Sequence, residues 1–176
     1  MRLFQFFILV TTAYYTFGQD TEDIFRVNFI NPSIEYEVSL GNSSVISMGL
    51  GIGYSGSYRE LEVGSNNGFL YIIAPFFDAQ YKYIYNRAKR AVAAKSLDNN
   101  AGNFFSLRVI SKGQSIAENV TRTDDFDFAI GPTWGIQRQI GKLHFLFDVG
   151  PQFYLDTKGN NGIFPLMMQL NLGLPL

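Results

Sequence analysis

The chain has 176 residues, a formal net charge of −1 and no cysteine, and its aromatic residues (16 %) are as frequent as its charged ones (16 %). One domain fits this length. The missing cysteine excludes a disulfide framework, a thiolate metal site and a lipidated cysteine. With no basic cluster on an aromatic platform, the electrostatic footprint of a nucleic-acid binder is absent as well.

Residues 1–18 read as a secretory signal peptide. Arg2 supplies a charged n-region, Leu3 to Val10 a short apolar core, and Thr16-Phe17-Gly18 a small-x-small cleavage site ahead of Gln19. The apolar run is far shorter than the roughly 20 residues of a spanning helix. Residues 19–176 are therefore expected to be one exported domain.

After the acidic leader Asp20 to Asp23, the segment Ile24 to Ile30 reads as a short strand that turns back at Asn31-Pro32, because proline removes a ladder donor. Ser33 to Leu40 alternates Ile34, Tyr36, Val38 and Leu40 with Glu35, Glu37 and Ser39. A tight turn at Gly41 to Ser44 leads into Val45 to Ser57, where Ile46, Met48, Leu50, Ile52 and Tyr54 oppose Ser47, Gly49, Gly51, Gly53 and Ser55. That is period two without a break. Its weak face carries glycine and serine, which suits a narrow lumen rather than open water.

Glu62 to Gly68 is a polar loop, and Phe69 to Tyr85 a long strand with Asp78, Gln80 and Lys82 on its polar face. Period two then stops at Asn86, a candidate N-cap, and the alanine-rich Arg87 to Leu97 predicts a short helix. A strand with Phe105, Leu107 and Val109 against Ser106 and Arg108 precedes a polar loop from Ser111 to Thr123. Two strands around the turn at Ile140-Gly141-Lys142 put Asp127, Gly131, Gly135, His144, Asp148 and Gln152 opposite aromatic and branched residues. Beyond a loop from Asp156 to Gly162, a last strand opposes Phe164 to Leu176 to Gln169, Asn171 and Gly173.

Alternation with small residues on one face and aromatics on the other predicts an all-β fold, an eight-stranded antiparallel up-and-down transmembrane β-barrel with one short periplasmic helix, located in a bacterial outer membrane. An even strand number requires Ile24 to Ile30 to count as a strand. The inward charges, Glu35, Glu37, Asp78, Lys82, Arg108, Asp127, His144 and Asp148, are expected to pair in a lumenal network, since unpaired charge in a closed interior is expensive. Arg87, Lys89 and Arg90 on the helix are expected near the phosphates of outer-membrane lipids.

The runs Asn31 to Glu37, Gln80 to Asn86 with the basic Arg87 to Arg90, and Asn99 to Phe104 resemble the small outer-membrane β-barrel proteins of Bacteroidetes, near the DUF3575-like group. The resemblance implies compartment and fold, and a terminal strand gripped by barrel-assembly machinery, with Leu176 in place of the commoner terminal Phe. It implies no activity and no site residues.

Motifs for chemistry are few. Gly51 to Gly56 matches GxGxxG, but no helix opens after it. Asp124-Asp125-Phe126-Asp127 lacks the glycine and distal glutamate of a calcium loop. His144 is the only histidine, so no catalytic, metal or cofactor residues are assigned. Three readings stay open: a structural or surface-interaction barrel with a filled lumen and a surface protein partner; an outer-membrane lipid-modifying enzyme on the same fold, with Ser106 beside His144; and a soluble exported lipocalin-like ligand-binding barrel.

Overall fold

A computed structural model describes residues 20–55, 72–118 and 125–176. The signal peptide and the loop Glu62 to Gly68 lie outside the described residues, as does part of the loop Ser111 to Thr123. In chain order the elements are β1 (Ile24–Asn28), β2 (Ser33–Ser39), β3 (Ser44–Ser55), β4 (Ile72–Tyr83), α1 (Arg87–Val92), a 3-10 turn (Asp98–Asn100), β5 (Gly102–Lys112), β6 (Ala117–Glu118), β7 (Asp127–Ile140), β8 (Leu143–Asp156) and β9 (Asn161–Pro175).

All nine strands belong to one antiparallel sheet in the order β3-β2-β1-β9-β8-β7-β5-β4-β6, and β3 also pairs with β4. The sheet has two ends. The turns before β3 and β8, α1 and the 3-10 turn lie at one, called here the helical end; the β8–β9 hairpin turn lies at the other. Glycine serves the turns where the chain needs a positive φ, as at Gly41 (+119°) and Gly141 (+60°). Gly51 serves closeness instead: a Cβ there would sit 2.2 Å from the carbonyl oxygen of Pro32.

The expectation of an eight-stranded transmembrane barrel is corrected on two counts. The sheet has a ninth strand, the two-residue β6, paired to the start of β4 at Ile72 and Ile73. The pairing also comes round on itself only toward the helical end. The seam between β1 and β9 holds three residue pairs, Arg26 with Pro175, Val27 with Leu174 and Asn28 with Gly173. The cause is the β1–β2 hairpin, whose strands of 5 and 7 residues are much shorter than the 12 of β3 and the 15 of β9 on either side. Above it, among the described residues, Gly53–Ser55 pair with β4 alone and Met167–Gln169 with β8 alone.

A sheet that crosses a bilayer is closed so that no backbone edge meets hydrocarbon, and this sheet is not closed over its full height. The transmembrane assignment, and with it the outer-membrane location and the role of a plugged outer-membrane barrel, are withdrawn on that ground. No helix among the described residues is long and apolar enough to cross a membrane.

The alternation itself is present, with the polar side inward. Ile34, Tyr36, Met48, Leu50, Ile52, Phe77, Phe105, Leu107, Ile130 and Leu170 are exposed, whereas Arg26, Glu37, Ser47, Gln80, Lys82 and Asp148 are buried. Among the described residues, buried apolar side chains gather in small clusters, such as Phe76, Ile110, Ala129 and Tyr154 toward the hairpin end and Ile84, Phe104 and Leu146 toward the helical end. Outward apolar rows of this extent are unfavourable against water and mark a surface prone to association. Purified chain is accordingly expected to self-associate in detergent-free buffer and to disperse in mild detergent, as read by sedimentation velocity. A monodisperse monomer without detergent would contradict the exposed apolar face.

The helix is shorter than its alanine-rich sequence suggests, ending at Val92 rather than Leu97. Ala94, Asn99 and Asn100 adopt positive φ (51°, 51° and 58°), and this reversal brings Asn100 back under the sheet. Asn86 occupies the N-cap position without a side-chain cap bond. Its Oδ1 instead accepts the Asn103 backbone N–H at 2.8 Å, which ties the start of the connection to the start of β5.

Candidate functional site

The interior is organised by charges placed on alternate residues of β1, β2, β4, β5 and β8. In β2, Glu35 and Glu37 are two residues apart and so face the same way. The register sets Arg26 of β1 opposite Glu35. From there Arg26 donates to Glu35 Oε1 at 3.0 Å, to Glu37, and to His144 Nε2 at 3.0 Å. Lys82 of β4 reaches Glu37 Oε2 at 3.0 Å and Gln137 Oε1 at 3.3 Å, with Glu35 Oε1 at 3.5 Å. Arg26, Lys82 and Glu37 are fully buried, so this is a desolvated network rather than a surface pairing.

Burial by itself would raise both glutamates, but Arg26 and then Lys82 hold them ionised, Glu35 at about 2 and Glu37 far below the usual carboxylate range. Burial and the neighbouring Arg26 push His144 down to about 3. It is therefore a neutral acceptor for the Arg26 guanidinium at neutral pH.

A second group lies nearer the hairpin end. Arg108 donates to both oxygens of Asp78, at 3.0 Å and 3.1 Å from Nε and at 2.6 Å from Nη2. Its Nη1 is 3.6 Å from Asp148 Oδ1. Burial works against the Arg108 cation, while Asp78 and then Asp148 raise its pKa above the ordinary arginine value. Gln80 Nε2 donates to Asp148 Oδ2 at 2.9 Å. Asp148 Oδ1 has no hydrogen-bond partner, and burial pushes the Asp148 carboxyl up.

Between the two groups is a cavity of about 20 Å³ lined by Asn28, Ser33, Glu35, Ser47, Gly49, Phe76, Asp78, Gln80, Leu146, Gln169 and Asn171. A space of that size holds one or two water-sized guests. It lies inside the turn of the β1–β2 hairpin, at the level where β3 and β9 begin to part. Ser47, Gln80 and Asn171 are each more than nine-tenths buried. Asn171 Oδ1 accepts weakly from the Asn31 N–H at 3.5 Å. Among the described residues, Ser47 Oγ, Gln80 Oε1 and Asn171 Nδ2 have no partner.

Seven of the eight expected network residues meet in this interior: Glu35, Glu37, Asp78, Lys82, Arg108, His144 and Asp148. Asp127 does not join them. It lies at the hairpin end of β7, opposite Lys112 and Asp156. The basic helix is divided. Arg87 is turned in, its guanidinium donating to Asp20 O at 2.7 Å and Leu97 O at 3.4 Å, so it is not placed toward lipid phosphates. Arg90 donates to Ser96 O, and Lys89 is exposed. Ser106 bonds Thr133 across the β5–β7 pair, while His144 bonds Arg26. No nucleophile–base pair is assembled from the two.

Sequence reasoning missed Arg26, Asn100 and Gln137. Arg26 stands on a five-residue strand, too short for its alternation to announce an inward face. Asn100 follows the helix in a segment with no periodicity at all. Its Nδ2 donates to Glu37 Oε1 at 2.7 Å and to Glu22 O at 2.9 Å, and its Oδ1 accepts the Glu22 N–H at 2.9 Å. Gln137 Nε2 donates to Asn100 O at 2.7 Å. The 3-10 turn thus closes the helical end over the charges. Asn100→Ala is expected to cost about 1.5 to 3 kcal/mol, the value of a bond to a buried charge, measured by urea unfolding. A loss below about 0.5 kcal/mol would mean that this turn is only a connector.

Among the described residues, no group of three or more histidine or acidic side chains could hold a metal ion. No family model, curated protein or solved structure matches the chain.

Proposed function

We propose that the chain is an exported, non-catalytic ligand-binding β-sheet protein whose ligand is small and polar. The observation that carries this reading is the cavity lined by Ser47, Gln80 and Asn171, which are more than nine-tenths buried and whose Ser47 Oγ, Gln80 Oε1 and Asn171 Nδ2 make no hydrogen bond among the described residues. A buried polar group without a partner costs about 1 to 3 kcal/mol, and a guest that bonds to it recovers that loss. The polarity is the reverse of a lipocalin-type site: the enclosed side is charged and the outer side apolar, so an apolar ligand has no place within. A lipid-modifying reaction is disfavoured because Ser106 and His144 are committed to different partners.

Thermal melting of the full chain against small ammonium, amino-acid and sugar probes tests the reading. A guest at ten times its Kd adds about 1.4 kcal/mol, or about 3 to 6 °C at this size. At least one class is expected to give that shift, and the cavity-filling variant Ser47→Val is expected to abolish it. No shift with any class, or equal shifts in the variant, would overturn the proposal.

A further inference from the structure

A guest has to reach the cavity from outside, and the lining shows from which side. Asn28, Ser47, Gln80 and Asn171 are buried, whereas Ser33 of β2 and Gln169 of β9 are only half-buried although both line the space. These two stand above the β1–β2 turn, where β3 and β9 begin to part. Solvent comes closest to the cavity there. Among the described residues the other directions are filled. Toward the helical end Arg26, Glu37, Lys82 and Asn100 are fully buried, with Lys82 and Asn100 bonded to Glu37 at 3.0 Å and 2.7 Å. Toward the hairpin end Phe76, Ile110, Ala129 and Tyr154 pack together.

The β1–β2 turn borders the opening and is held unequally on its two sides. On the β3 side the Ile52 N–H donates to Pro32 O at 2.9 Å, and Gly51 lets the two backbones touch. On the β9 side the Phe29 N–H donates to Leu172 O at 2.8 Å. Past that bond Asn31 makes the connection, its N–H to Asn171 Oδ1 and its Nδ2 to Leu170 O, both at 3.5 Å. Hydrogen bonds of that length are weak. Across the opening, a Cβ on Gly53 of β3 would lie 3.7 Å from Asn31 Oδ1. The Asn31 side chain therefore spans from β3 to β9, next to the lining residue Asn171.

We propose that the opening between β3 and β9 is the entrance to the cavity and that the Asn31 side chain is its gate. The gate opens on the β9 side, where its two bonds are weak, while Pro32 stays anchored on β3. This deepens the ligand-binding reading and rests on it for the guest, although the route can be measured without one. Entry then needs only a local opening and not unfolding of the sheet. The entrance is polar, made of the Asn31 and Gln169 amides and the Ser33 hydroxyl, which suits a small polar guest.

Because the chain has no cysteine, one introduced thiol is a unique reporter. Ser47→Cys places it in the cavity, and Val45→Cys places it at a buried position two residues nearer the helical end of β3. Hydrogen peroxide, little larger than water, is the probe. The thiolate sulfur attacks one peroxide oxygen, the O–O bond breaks, hydroxide leaves and the sulfur becomes a sulfenic acid. Thiol remaining in the full chain, treated in mild detergent at pH 8, is counted with a maleimide after denaturation.

Adding Asn31→Ala is expected to speed oxidation at position 47 at least about fivefold, the factor of one hydrogen bond, and to leave the rate at position 45 unchanged. Equal acceleration at both positions would show general loosening and overturn the proposal. So would an unchanged rate at position 47, or a thiol there that stays reduced until the chain unfolds. Gln80→Cys, opposite Ser47 in the register, repeats the measurement from the facing strand should Ser47→Cys lower the urea midpoint. Melting shifts with the ammonium, amino-acid and sugar probes are read separately. A shift without dependence on Asn31 keeps the ligand-binding reading and sinks the gate, whereas gated oxidation without any shift sinks that reading and leaves a route for water alone.

Discussion

Replacing Arg26 with methionine is expected to cost about 3 to 5 kcal/mol of folding stability, the range for removing one member of a buried ion pair. Arg26 is the single cation on β1, and it holds Glu35 and Glu37 of β2 and His144 of β8 together. Without it the two glutamates would keep only Lys82, and burial would push their carboxyls back up. The variant also loosens the seam where β1 meets β9, which rests on three residue pairs. Pairing Arg26→Met with Glu37→Gln should recover at least about 1 kcal/mol relative to the sum of the single effects, because the two sites are in contact. Urea unfolding in detergent measures all three proteins. A single-variant cost under about 1 kcal/mol would show that the network is hydrated and that its geometry matters little.

Acid is expected to unfold the protein in two stages, the first governed by His144. Its folded pKa is depressed to about 3 from an ordinary value of 6.5. Between those values the unfolded chain takes up a proton that the folded chain refuses, so stability falls as pH falls. One such group changes stability by at most about 1.4 kcal/mol per pH unit, giving a loss of about 2 to 3 kcal/mol between pH 6.5 and 4.5.

Below an ordinary carboxylate value of 4.5, Glu35 and Glu37 add to the loss, because both are held low by Arg26 and Lys82. Their contribution is present above the unfolded value and disappears as pH falls toward about 2. Asp148 acts in the opposite sense, since its raised folded pKa favours the folded state as it protonates.

His144→Gln keeps an acceptor for Arg26 and removes the titration. Its stability should match the parent within about 1 kcal/mol above pH 7 and should not fall between pH 6.5 and 4.5. The same acid slope in both proteins would place the first stage elsewhere.

Local sequence determined the strands and which way their side chains face. Period two is a property of each strand alone, so Glu35, Glu37, Lys82, Arg108, His144 and Asp148 could be assigned inward from their own neighbours. The small residues of β3 likewise signalled a crowded interior, and Gly51 against Pro32 is an instance. Pairing partners were not legible in the same way, because they depend on register between segments far apart in the chain. Arg26 meets His144 across 118 residues and Asn100 meets Glu37 across 63.

Closure was decided by the tertiary structure for the same reason. Strand alternation says nothing of how far each pairing extends, and the short β1–β2 hairpin leaves β3 and β9 apart toward the hairpin end. The cavity and the charge network around it also belong to no single segment. They exist because side chains from β1, β2, β3, β4, β8 and β9 converge on one space, and only the assembled sheet sets Arg26 and Lys82 against Glu35 and Glu37, and Arg108 against Asp78 and Asp148.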